Sequence, residues 1–555
     1  MSLNARIFII NNIKLPINAS QKEAFSVAEK RLSLVGIDGN GKQFSIFKRS
    51  IDARQKSNVH FVYSVSVVLE NIKISSERLK RYDIVSHEVC EGLNIEYGKE
   101  RLSESPLIVG SGPCGLFAAL ILAENGYKPI LIERGGSVYE RKRSYEVFKT
   151  LHILDTETNI QFGAGGAGTF SDGKLVTRIN DPLTDYVLNK FVEFGASDDI
   201  KYIAKPHIGT DVLSLIVDNI IARIIECGGE VYFHTKYLYS ENVSGKSVAV
   251  TDKGNFPYSS LILALGHSAR DTNNELIRRG FAIEAKPFSV GMRIEHKASD
   301  IDKALYGDFA GDPNLGHAEY NLSFNTKIRG VYTFCMCPGG IVVPAASETG
   351  GVVVNGMSYH ARDGINSNSA VVCSVFKEDF GSDPRKAIDF QRKIEKAAFD
   401  FGGGDYSAPI CTVGDFLNEK YVSEPTDILP SYMDSSHVRI SPVEKYLPEF
   451  AAKGIRCALL DFDKKISGFA KSSAILTGAE TRTSSPIRVL RDPETRLALG
   501  QTNIYPSGEG ADYAGGITSA AIDGIRTALA IMKKARHIWA DEIKTAPSLG
   551  CVIRA

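Results

Sequence analysis

Three glycines in the stretch LIVGSGPCGLFAA have the spacing that lets a polypeptide backbone approach a phosphate group. Gly110, Gly112 and Gly115 follow an apolar strand and open an apolar helix in the pattern G-x-G-x-x-G. The first glycine permits a tight turn, the second lets the main chain approach phosphates, and the third lets helix and strand pack closely. The helix start at Pro113 and Cys114 supplies amide donors and a positive dipole end. The pattern predicts a dinucleotide site.

An acidic residue follows where a ribose hydroxyl group would need it. The strand KPILIE ends at Glu133, 23 residues after Gly110, close to the roughly 20 residues expected for the ribose-binding acid. Arg134 comes next. A purely structural glycine turn is the alternative, but strand, turn, helix, strand and acid in this order favour dinucleotide binding.

A second glycine-rich loop lies near the C-terminus, in YPSGEGADYAGGITSAAIDG. Gly515 and Gly516 lead into an apolar helix that begins at Ile517, and a helix start stabilises negative charge at the carbonyl edge of a reduced flavin. Gly508 and Glu509 form the preceding loop, where Glu509 is expected to hold the ribityl chain. The alternative is a plain loop before a surface helix.

The segment from Asn159 to Leu175, NIQFGAGGAGTFSDGKL, contains five glycines and few side chains that would pack in a core. A flat isoalloxazine ring lying against bare main chain would explain this composition. A glycine-rich surface loop without a ligand is the alternative. The contacts predicted here are Gly165, Gly166, Gly168, Thr169, Ser171, Gly173 and Lys174, joined by Gly266 after the strand SSLILALG.

Four further side chains are weak candidates for catalysis. His207 in KPHIGTD would be a proton donor, although a loop histidine bonded to backbone explains it as well. His267 and Arg270 follow a strand at the domain crossover, where Arg270 and Asp271 have the alternative of pairing with each other. Arg362 would clamp an anionic substrate with two N–H groups, or belong to a polar loop. Arg293 and Arg482 are candidates for the same role, with the same alternative.

Cys335 and Cys337 in CMCPGG raise the possibility of a redox dithiol. One intervening residue is unusual, because thioredoxin-like pairs have two. Alternate strand residues share a face, so we predict two buried core cysteines. The cysteine spacing does not fit a zinc site, and no metal is expected.

Bulk composition restricts the partners. The chain has 555 residues, with 65 basic and 65 acidic side chains, and this zero net charge argues against nucleic acid or an anionic membrane surface as partner. The most apolar window, residues 107–126, contains Pro113 and several glycines, which predicts a strand, a turn and a buried helix rather than a membrane span. Nine dispersed cysteines do not resemble a disulfide framework, and a cytoplasmic location is expected.

The predicted class is α/β. An N-terminal α+β module, expected to be ferredoxin-like, covers residues 1–98. A Rossmann-like FAD-binding domain occupies 99–282 and is closed by a strand and helix in 491–555. A mixed α+β substrate domain is inserted at 283–490. A second G-x-G-x-x-G after a strand is missing from the sequence, so NAD(P)H would act as an external electron donor without its own Rossmann domain.

Over nearly its whole length the sequence resembles a bacterial family of uncharacterised FAD-dependent dehydrogenase-like proteins. The resemblance rests on long motifs: SIDARQK, VGSGPCGLFAAL, QFGAGGAGTFSDGKL, KPHIGTD, LILALGHSARDT, KPFSVGMRIEH, TFCMCPGGIVVPAASETGGVVVNGMS, ETRTSSPIRV and YPSGEGADYAGGITSAAIDG. It implies FAD and the two-dinucleotide-binding-domain architecture with a distinctive C-terminal domain. Ala164 replaces the family's usual Glu, so no role for that acid transfers, and Asp512 stands where Gly is common.

The sequence therefore predicts an FAD-dependent oxidoreductase, a dehydrogenase of unknown substrate that transfers hydride through flavin N5. The substrate would bind between the FAD domain and the insertion. Two alternatives remain. One is a flavin-dependent RNA-modifying enzyme whose basic N-terminal segment, KRSIDARQK, grips RNA. The other is a non-catalytic, regulatory FAD-binding protein.

Overall fold

A computed structural model describes residues 5–70, 72, 74–88, 93–177, 181–326, 329–435 and 437–536. The described cysteines are free thiols: Cys114, Cys227, Cys335, Cys337, Cys373, Cys411 and Cys457. Cys90 and Cys551 lie outside the described residues. Among the described helices, none combines the length and the apolar character that a membrane span needs.

The N-terminal module has the element order βαββαβ. Its elements are β1 (Ala5–Pro16), α1 (Gln21–Leu34), β2 (Phe44–Asp52), β3 (His60–Glu70), α2 (Ser76–Lys80) and β4 (Ile84–Glu88). The antiparallel sheet has the order β2-β3-β1-β4. Strand β3 buries the alternating side chains of Phe61, Tyr63, Val65 and Val67. Helix α1 begins with a capping box formed by Ser20 and Glu23.

The second unit is built on a parallel sheet. Its elements are β5 (Glu100–Arg101), β6 (Leu107–Val109), α3 (Pro113–Glu124), β7 (Ile130–Ile132), α4 (Val138–Leu151), α5 (Leu183–Glu193), α6 (Thr210–Glu226), β8 (Glu230–Tyr232), β9 (Tyr237–Val243), β10 (Lys246–Thr251), β11 (Gly254–Pro257), β12 (Leu261–Leu263) and α7 (Arg270–Arg278). The apolar window at residues 107–126 forms strand, turn and helix as predicted. Helix α3 is apolar on all sides because it is buried on all sides, from Cys114 to Ala123.

The third unit contains a seven-stranded sheet. Its elements are β13 (Ile283–Ala285), β14 (Phe288–Lys297), α8 (Ala298–Tyr306), β15 (Ser323–Asn325), β16 (Gly330–Cys337), β17 (Ile341–Pro344), β18 (Val354–Met357), β19 (Asn366–Val375), α9 (Lys377–Phe380), α10 (Pro384–Phe401), β20 (Ala408–Thr412), α11 (Val413–Asn418), β21 (Val438–Ile440), α12 (Glu449–Lys465), β22 (Ile475–Glu480) and β23 (Ile487–Val489). The sheet order is β15-β16-β19-β14-β22-β20-β21. Helix α10 begins at Pro384 with Asp383 as its N-cap.

The chain then returns to the second unit through β24 (Ile504–Pro506), α13 (Ile517–Lys534) and β25 (Ala535–Arg536). Strand β24 completes an all-parallel sheet of order β24-β12-β6-β7-β8. Helices α3, α5, α6 and α13 share one apolar cluster, and the β9–β11 meander helps to bury the other face of the sheet. The α/β class predicted from the sequence is confirmed. The carboxyl ends of β6, β12 and β24 lie side by side, which positions the loops that follow them at one edge.

Candidate cofactor-binding site

A cavity of about 1030 Å³ lies at this edge, between the parallel sheet and the third unit. That volume is at the upper end of the roughly 300–1,000 Å³ typical of ligand pockets. Most of the predicted cofactor contacts line it: Gly110, Gly112, Pro113, Cys114, Glu133, Arg134, Gly166, Gly168, Ser171, Lys174, Gly266, Gly508, Glu509, Gly515, Gly516 and Ile517. Segments that are far apart in the sequence therefore meet around one space.

The turn between β6 and α3 uses its three glycines for different purposes. Gly110 has a φ of +101°, and a Cβ there would overlap the Ala264 carbonyl group. A Cβ at Gly115 would overlap the Gly110 carbonyl group, so this glycine serves helix packing rather than the cavity wall. Gly112 is the N-cap of α3, and a Cβ built there would have ample room, with Gly166 Cα 3.9 Å away from it. A ligand can reach the backbone at Gly112.

The glycine-rich segment is held against this turn. The Gly165 N–H donates to the Ser111 carbonyl oxygen at 2.9 Å. A Cβ at Gly166 would lie 3.0 Å from Gly112 Cα, and one at Gly168 would lie 3.1 Å from the Ile517 side chain at the start of α13. Gly166 and Gly168 thus bring bare backbone to the cavity between the two helix starts.

Other glycines of the segment serve protein packing. A Cβ at Gly163 would overlap Arg141, one at Gly165 would overlap the Thr169 side chain, and one at Gly173 would lie 2.8 Å from the Gly209 nitrogen. Thr169 is fully buried, and its hydroxyl group donates to the Ala164 carbonyl oxygen at 3.4 Å. These glycines lie behind the residues that line the cavity. The high glycine content of the segment therefore has two causes, close packing within the protein and bare backbone at the cavity, instead of the single cause expected.

Sequence reasoning missed Arg141, which shapes this segment. Its guanidinium group is fully buried and donates to the carbonyl oxygens of Asn159 (3.0 Å), Ile160 (2.9 Å) and Ala164 (2.5 Å). Burial lowers the pKa of Arg141 to about 9. Its setting in VYERKRSYEVF, among other charged residues, gave no sign that this side chain turns inward.

Glu133 lines the cavity and also joins the turn to the glycine-rich segment. One carboxylate oxygen accepts from the Ser111 N–H (2.9 Å) and the Ser111 hydroxyl group (2.8 Å). The other accepts from the N–H groups of Gly135 (2.9 Å) and Gly163 (3.0 Å). Four accepted bonds match the capacity of a carboxylate. The contact between Glu133 and a ribose stays a prediction.

The loop before α13 supplies the opposite wall. Gly515 and Gly516 have open space where a Cβ would stand. Burial raises the pKa of Glu509 to about 7; Lys286 opposes the shift and Asp512 adds to it. Asp512 has a φ of +64°, which explains why glycine suits its position, and it pairs with Lys286 and Arg488.

The loop after β12 contains one catalytic candidate that reaches the cavity. His267 lies on the wall, and burial together with the charges of Arg482 and Arg270 lowers its pKa to about 3, so its imidazole ring is neutral. Arg270 instead points into the protein and pairs with Glu395 at 2.6 Å. The alternative pairing of Arg270 with Asp271 is wrong, because the Asp271 carboxylate accepts hydrogen bonds from two N–H groups of Arg134, each at 2.9 Å.

The two other catalytic candidates are engaged by protein groups. His207 Nε2 lies 3.1 Å from the His360 carbonyl oxygen, which fits the alternative of a loop histidine bonded to backbone. The Arg362 guanidinium group donates to the Asp172 carboxylate through Nε, at 3.0 Å, and through Nη2. Its Nη1 donates to Glu319 at 2.8 Å. The predicted clamp for a substrate anion is therefore filled by a carboxylate of the protein itself.

Arg293 and Arg482 are also buried in ion pairs. Arg293 Nε donates to Glu480 at 3.0 Å, and Arg482 binds Glu395 at 3.1 Å. Glu480 and Arg482 reach the cavity from the third unit. They add charged groups to that side of the wall.

The prediction of two buried core cysteines is wrong for Cys335. Both thiols line the cavity, and Cys335 is exposed there while Cys337 is buried. The reason is a β-bulge: Phe334 pairs with Ala370, but Cys337 pairs with Asn368, so β16 carries one extra residue.

These features fit a dinucleotide with a flat ring system. Open glycine edges at Gly112, Gly266, Gly515 and Gly516 are places that a Cβ would fill. The first residues of α3 and of α13 both line the cavity, so two helix starts border the space where an anion or a negatively charged ring edge would be stabilised.

Three family models match the chain. An FAD-dependent protein C-terminal domain-like model matches residues 287–483, an FAD binding domain model matches 105–156, and a domain of unknown function matches 8–68. An uncharacterised protein of Clostridium beijerinckii (strain ATCC 51743 / NCIMB 8052) is 43% identical over 529 residues, which cover 95% of this chain and 98% of the relative.

The chain is similar to several solved structures at low sequence identity. Glycine oxidase from Geobacillus kaustophilus is 12% identical, with 80% of this chain and 98% of that chain covered and a TM-score of 0.34. L-amino acid deaminase from Proteus vulgaris is 12% identical, covering 81% and 97%, with a TM-score of 0.32. CtdE in complex with FAD is 12% identical, covering 78% and 86%, also with a TM-score of 0.32. Scores at this level carry no argument about function.

Proposed function

We propose that this protein, which belongs to a family of uncharacterised FAD-dependent proteins, is an FAD-dependent oxidoreductase. FAD is its cofactor. The observation that carries the proposal is the convergence of the β6–α3 turn, the glycine-rich segment and the loop before α13 on one cavity. That cavity continues beyond these three segments to the third unit, which leaves space for a second molecule beside a cofactor.

The chain's own groups would bind several parts of FAD. The α3 start and the bare backbone at Gly112 would receive the pyrophosphate. Glu133, whose carboxylate already accepts four hydrogen bonds from the protein, would hold the turn and the glycine-rich segment in place beside it. The α13 start and Gly166 would lie against the ring system, and Glu509 would hold the ribityl chain. When bound, FAD supplies two-electron transfer, including hydride transfer at N5.

The substrate region would be the wall contributed by the third unit. Tyr332, Phe334 and Cys335 line it from β16, and Asn355 lines it from β18. Aromatic, amide and thiol groups there leave a mixed surface suited to orienting a small molecule. We place the substrate between the FAD domain and the inserted domain.

Two side chains differ in their capacity to hold a proton at neutral pH. The Glu509 carboxyl group, with a pKa of about 7, can hold or release one near neutrality. The His267 ring, with a pKa of about 3, stays neutral and acts as a hydrogen-bonding group, with Nδ1 2.9 Å from the Ser268 hydroxyl oxygen. Glu509 is therefore the better proton reservoir.

The proposed division of the chain is an N-terminal module at 1–98, an FAD domain at 99–282 and 491–555, and an inserted substrate domain at 283–490. The βαββαβ order and the sheet order β2-β3-β1-β4 support a ferredoxin-like class for the module. The paired strands β13 and β23 lie close to both ends of the proposed insertion. A cytoplasmic location and NAD(P)H as external electron donor are part of this proposal.

Anaerobic spectroscopy tests the function. The purified yellow protein is mixed with NADH, NADPH and a panel of organic reductants, and the flavin absorbance is followed. After reduction, candidate acceptors are screened for reoxidation. Bleaching by a physiological donor and recovery by an acceptor are expected. Lack of reduction by every donor would favour a non-catalytic FAD-binding protein, and salt-sensitive binding of RNA would favour the RNA-modifying alternative.

A further inference from the structure

We propose that Cys335 and Cys337 form a redox-active dithiol that exchanges two electrons with FAD. The inference rests on the proposed function, because FAD is the electron partner. Both thiols line the cavity that the FAD-binding segments enclose. Cys335 is exposed in it, whereas a purely structural pair would be buried in a core.

The backbone places the two residues close together. Two residues of a regular strand span about 6.6 Å, and Cα atoms joined by a disulfide lie roughly 4.4–6.8 Å apart. At the bulge, the three steps from Phe334 to Cys337 lie opposite only two steps of β19, so both cysteines lie within the irregular part of the strand. Cys335 also has a φ of +42°, an uncommon conformation outside glycine that bends the strand here. One intervening residue is thus sufficient at this bulge.

Side-chain contacts show the same proximity. The Cys337 thiol donates to the Cys335 carbonyl oxygen, with 3.3 Å between sulfur and oxygen. Arg293 Nη1 donates to that same carbonyl oxygen at 2.9 Å and lies 3.9 Å from Cys337 Sγ. Arg293 is itself fixed by Glu480 and Asn368. A buried cation therefore lies beside the pair and partly offsets the cost of forming the thiolate that begins disulfide formation.

The pair also faces the FAD-binding wall. Burial raises the pKa of the Cys335 thiol to about 12 and that of the Cys337 thiol to about 11, and the positive charges of Arg293 and Lys174 offset only part of this rise. The next residue, Leu175, accepts a hydrogen bond through its carbonyl oxygen from the Thr518 hydroxyl group at 2.8 Å, and Thr518 is in the first turn of α13. The two thiols, Lys174 and the first residue of α13 all line the same cavity.

The chemistry balances without a further reagent. On oxidation, both S–H bonds break and one S–S bond forms between Cys335 and Cys337. Two electrons and two protons leave the sulfur atoms, and oxidised FAD is the acceptor of both. The reverse reaction returns them, so the protein would store four electrons: two on FAD and two on the dithiol.

An anaerobic electron titration tests the dithiol. The FAD-loaded protein is oxidised with ferricyanide, desalted and titrated with dithionite while flavin absorbance is followed. We expect four electrons per FAD for the wild type, two for Cys335→Ser and Cys337→Ser, and four for the control Cys457→Ser, which removes an exposed thiol on α12. Two electrons per FAD in the wild type would overturn the proposal.

A thiol count provides a readout independent of the flavin. After ferricyanide oxidation, wild-type protein is alkylated under denaturing conditions, and the peptide with both cysteines is weighed. An unalkylated peptide lacking two hydrogen atoms is expected, whereas two alkylated thiols would contradict the proposal. If the serine variants fail to retain FAD, this measurement on the wild-type protein still tests the dithiol. If the disulfide forms but the protein reacts with no substrate, the result would support the dithiol and contradict the proposed oxidoreductase function.

Discussion

Gly112 and Gly166 face each other across the edge of the cavity, so that a Cβ on Gly166 would lie 3.0 Å from the Cα of Gly112. One belongs to the β6–α3 turn and the other to the glycine-rich segment, more than 50 residues later in the chain. Two backbones this close leave a bare surface at the start of α3. The cofactor's phosphate groups need this surface, and substitutions that add side chains to it should displace them.

Gly112→Val is expected to abolish retention of FAD while the fold persists. Gly112 has a φ of −70°, which valine adopts without strain, and the added methyl groups would enter the cavity. The measurement is flavin absorbance per protein after purification, with circular dichroism to monitor folding. The control is Gly245→Asn in the β9–β10 turn, where open space surrounds the glycine and asparagine tolerates its φ of +84°. A Gly112→Val protein with full flavin would refute the assignment of this turn.

Arg141→Met should lower the free energy of unfolding by about 2–6 kcal/mol. The buried carbonyl groups of Asn159 and Ile160 lose the guanidinium donor, and each unsatisfied group costs roughly 1–3 kcal/mol, whereas Ala164 keeps its bond from Thr169. Denaturant unfolding measures the loss. Arg141→Lys retains a cation but not the fork of N–H groups, so it should fall between wild type and Arg141→Met. Equal stability of all three proteins would show that the carbonyl groups are satisfied in another way.

Glu509→Gln should change how stability depends on pH. The folded-state pKa of about 7 exceeds the ordinary 4.5, so between these values the folded protein holds a proton that the unfolded chain has released. Wild-type stability should therefore fall relative to the variant as pH rises from 4.5 to about 7, and the difference should be constant above that. Melting temperatures of both proteins across this range measure it. Parallel curves would contradict the raised pKa; Glu494→Gln is the exposed control.

Arg270→Met should cost about 3–5 kcal/mol of stability, because it removes one partner of a buried ion pair with Glu395. Thermal unfolding of the FAD-loaded protein measures this effect. The control is Arg278→Met on the same helix, whose side chain is exposed and pairs with Glu275 at the surface, where the loss should be below about 1 kcal/mol. Unchanged stability of Arg270→Met would restore Arg270 as a catalytic candidate.

Features that depend on neighbouring residues could be predicted from the sequence. The N-cap Asp383 with Pro384, the alternation along β3 and the capping box at Ser20 each involve residues only a few positions apart. The G-x-G-x-x-G turn is also local, because strand, turn and helix follow directly. Local geometry fixes such features wherever they lie in the fold.

The tertiary structure decided which partners each polar side chain finds. Arg270 and Asp271 are adjacent, yet one pairs with Glu395 and the other with Arg134. Cys335 reaches the cavity because of a bulge against β19, and nothing in CMCPGG indicates that bulge. Partners separated by many residues are set by packing of whole elements, which the pattern of a short motif does not contain.

By itself, the sequence determined that this chain has a dinucleotide-binding turn and glycine-rich segments near a cofactor. Only the folded chain decided that Gly166 and Gly168 face the cavity while Gly163, Gly165 and Gly173 pack against protein. The reason is physical: glycine is required wherever another atom comes too close for a Cβ. The sequence shows that requirement, whereas the identity of the close atom depends on the arrangement of the whole fold.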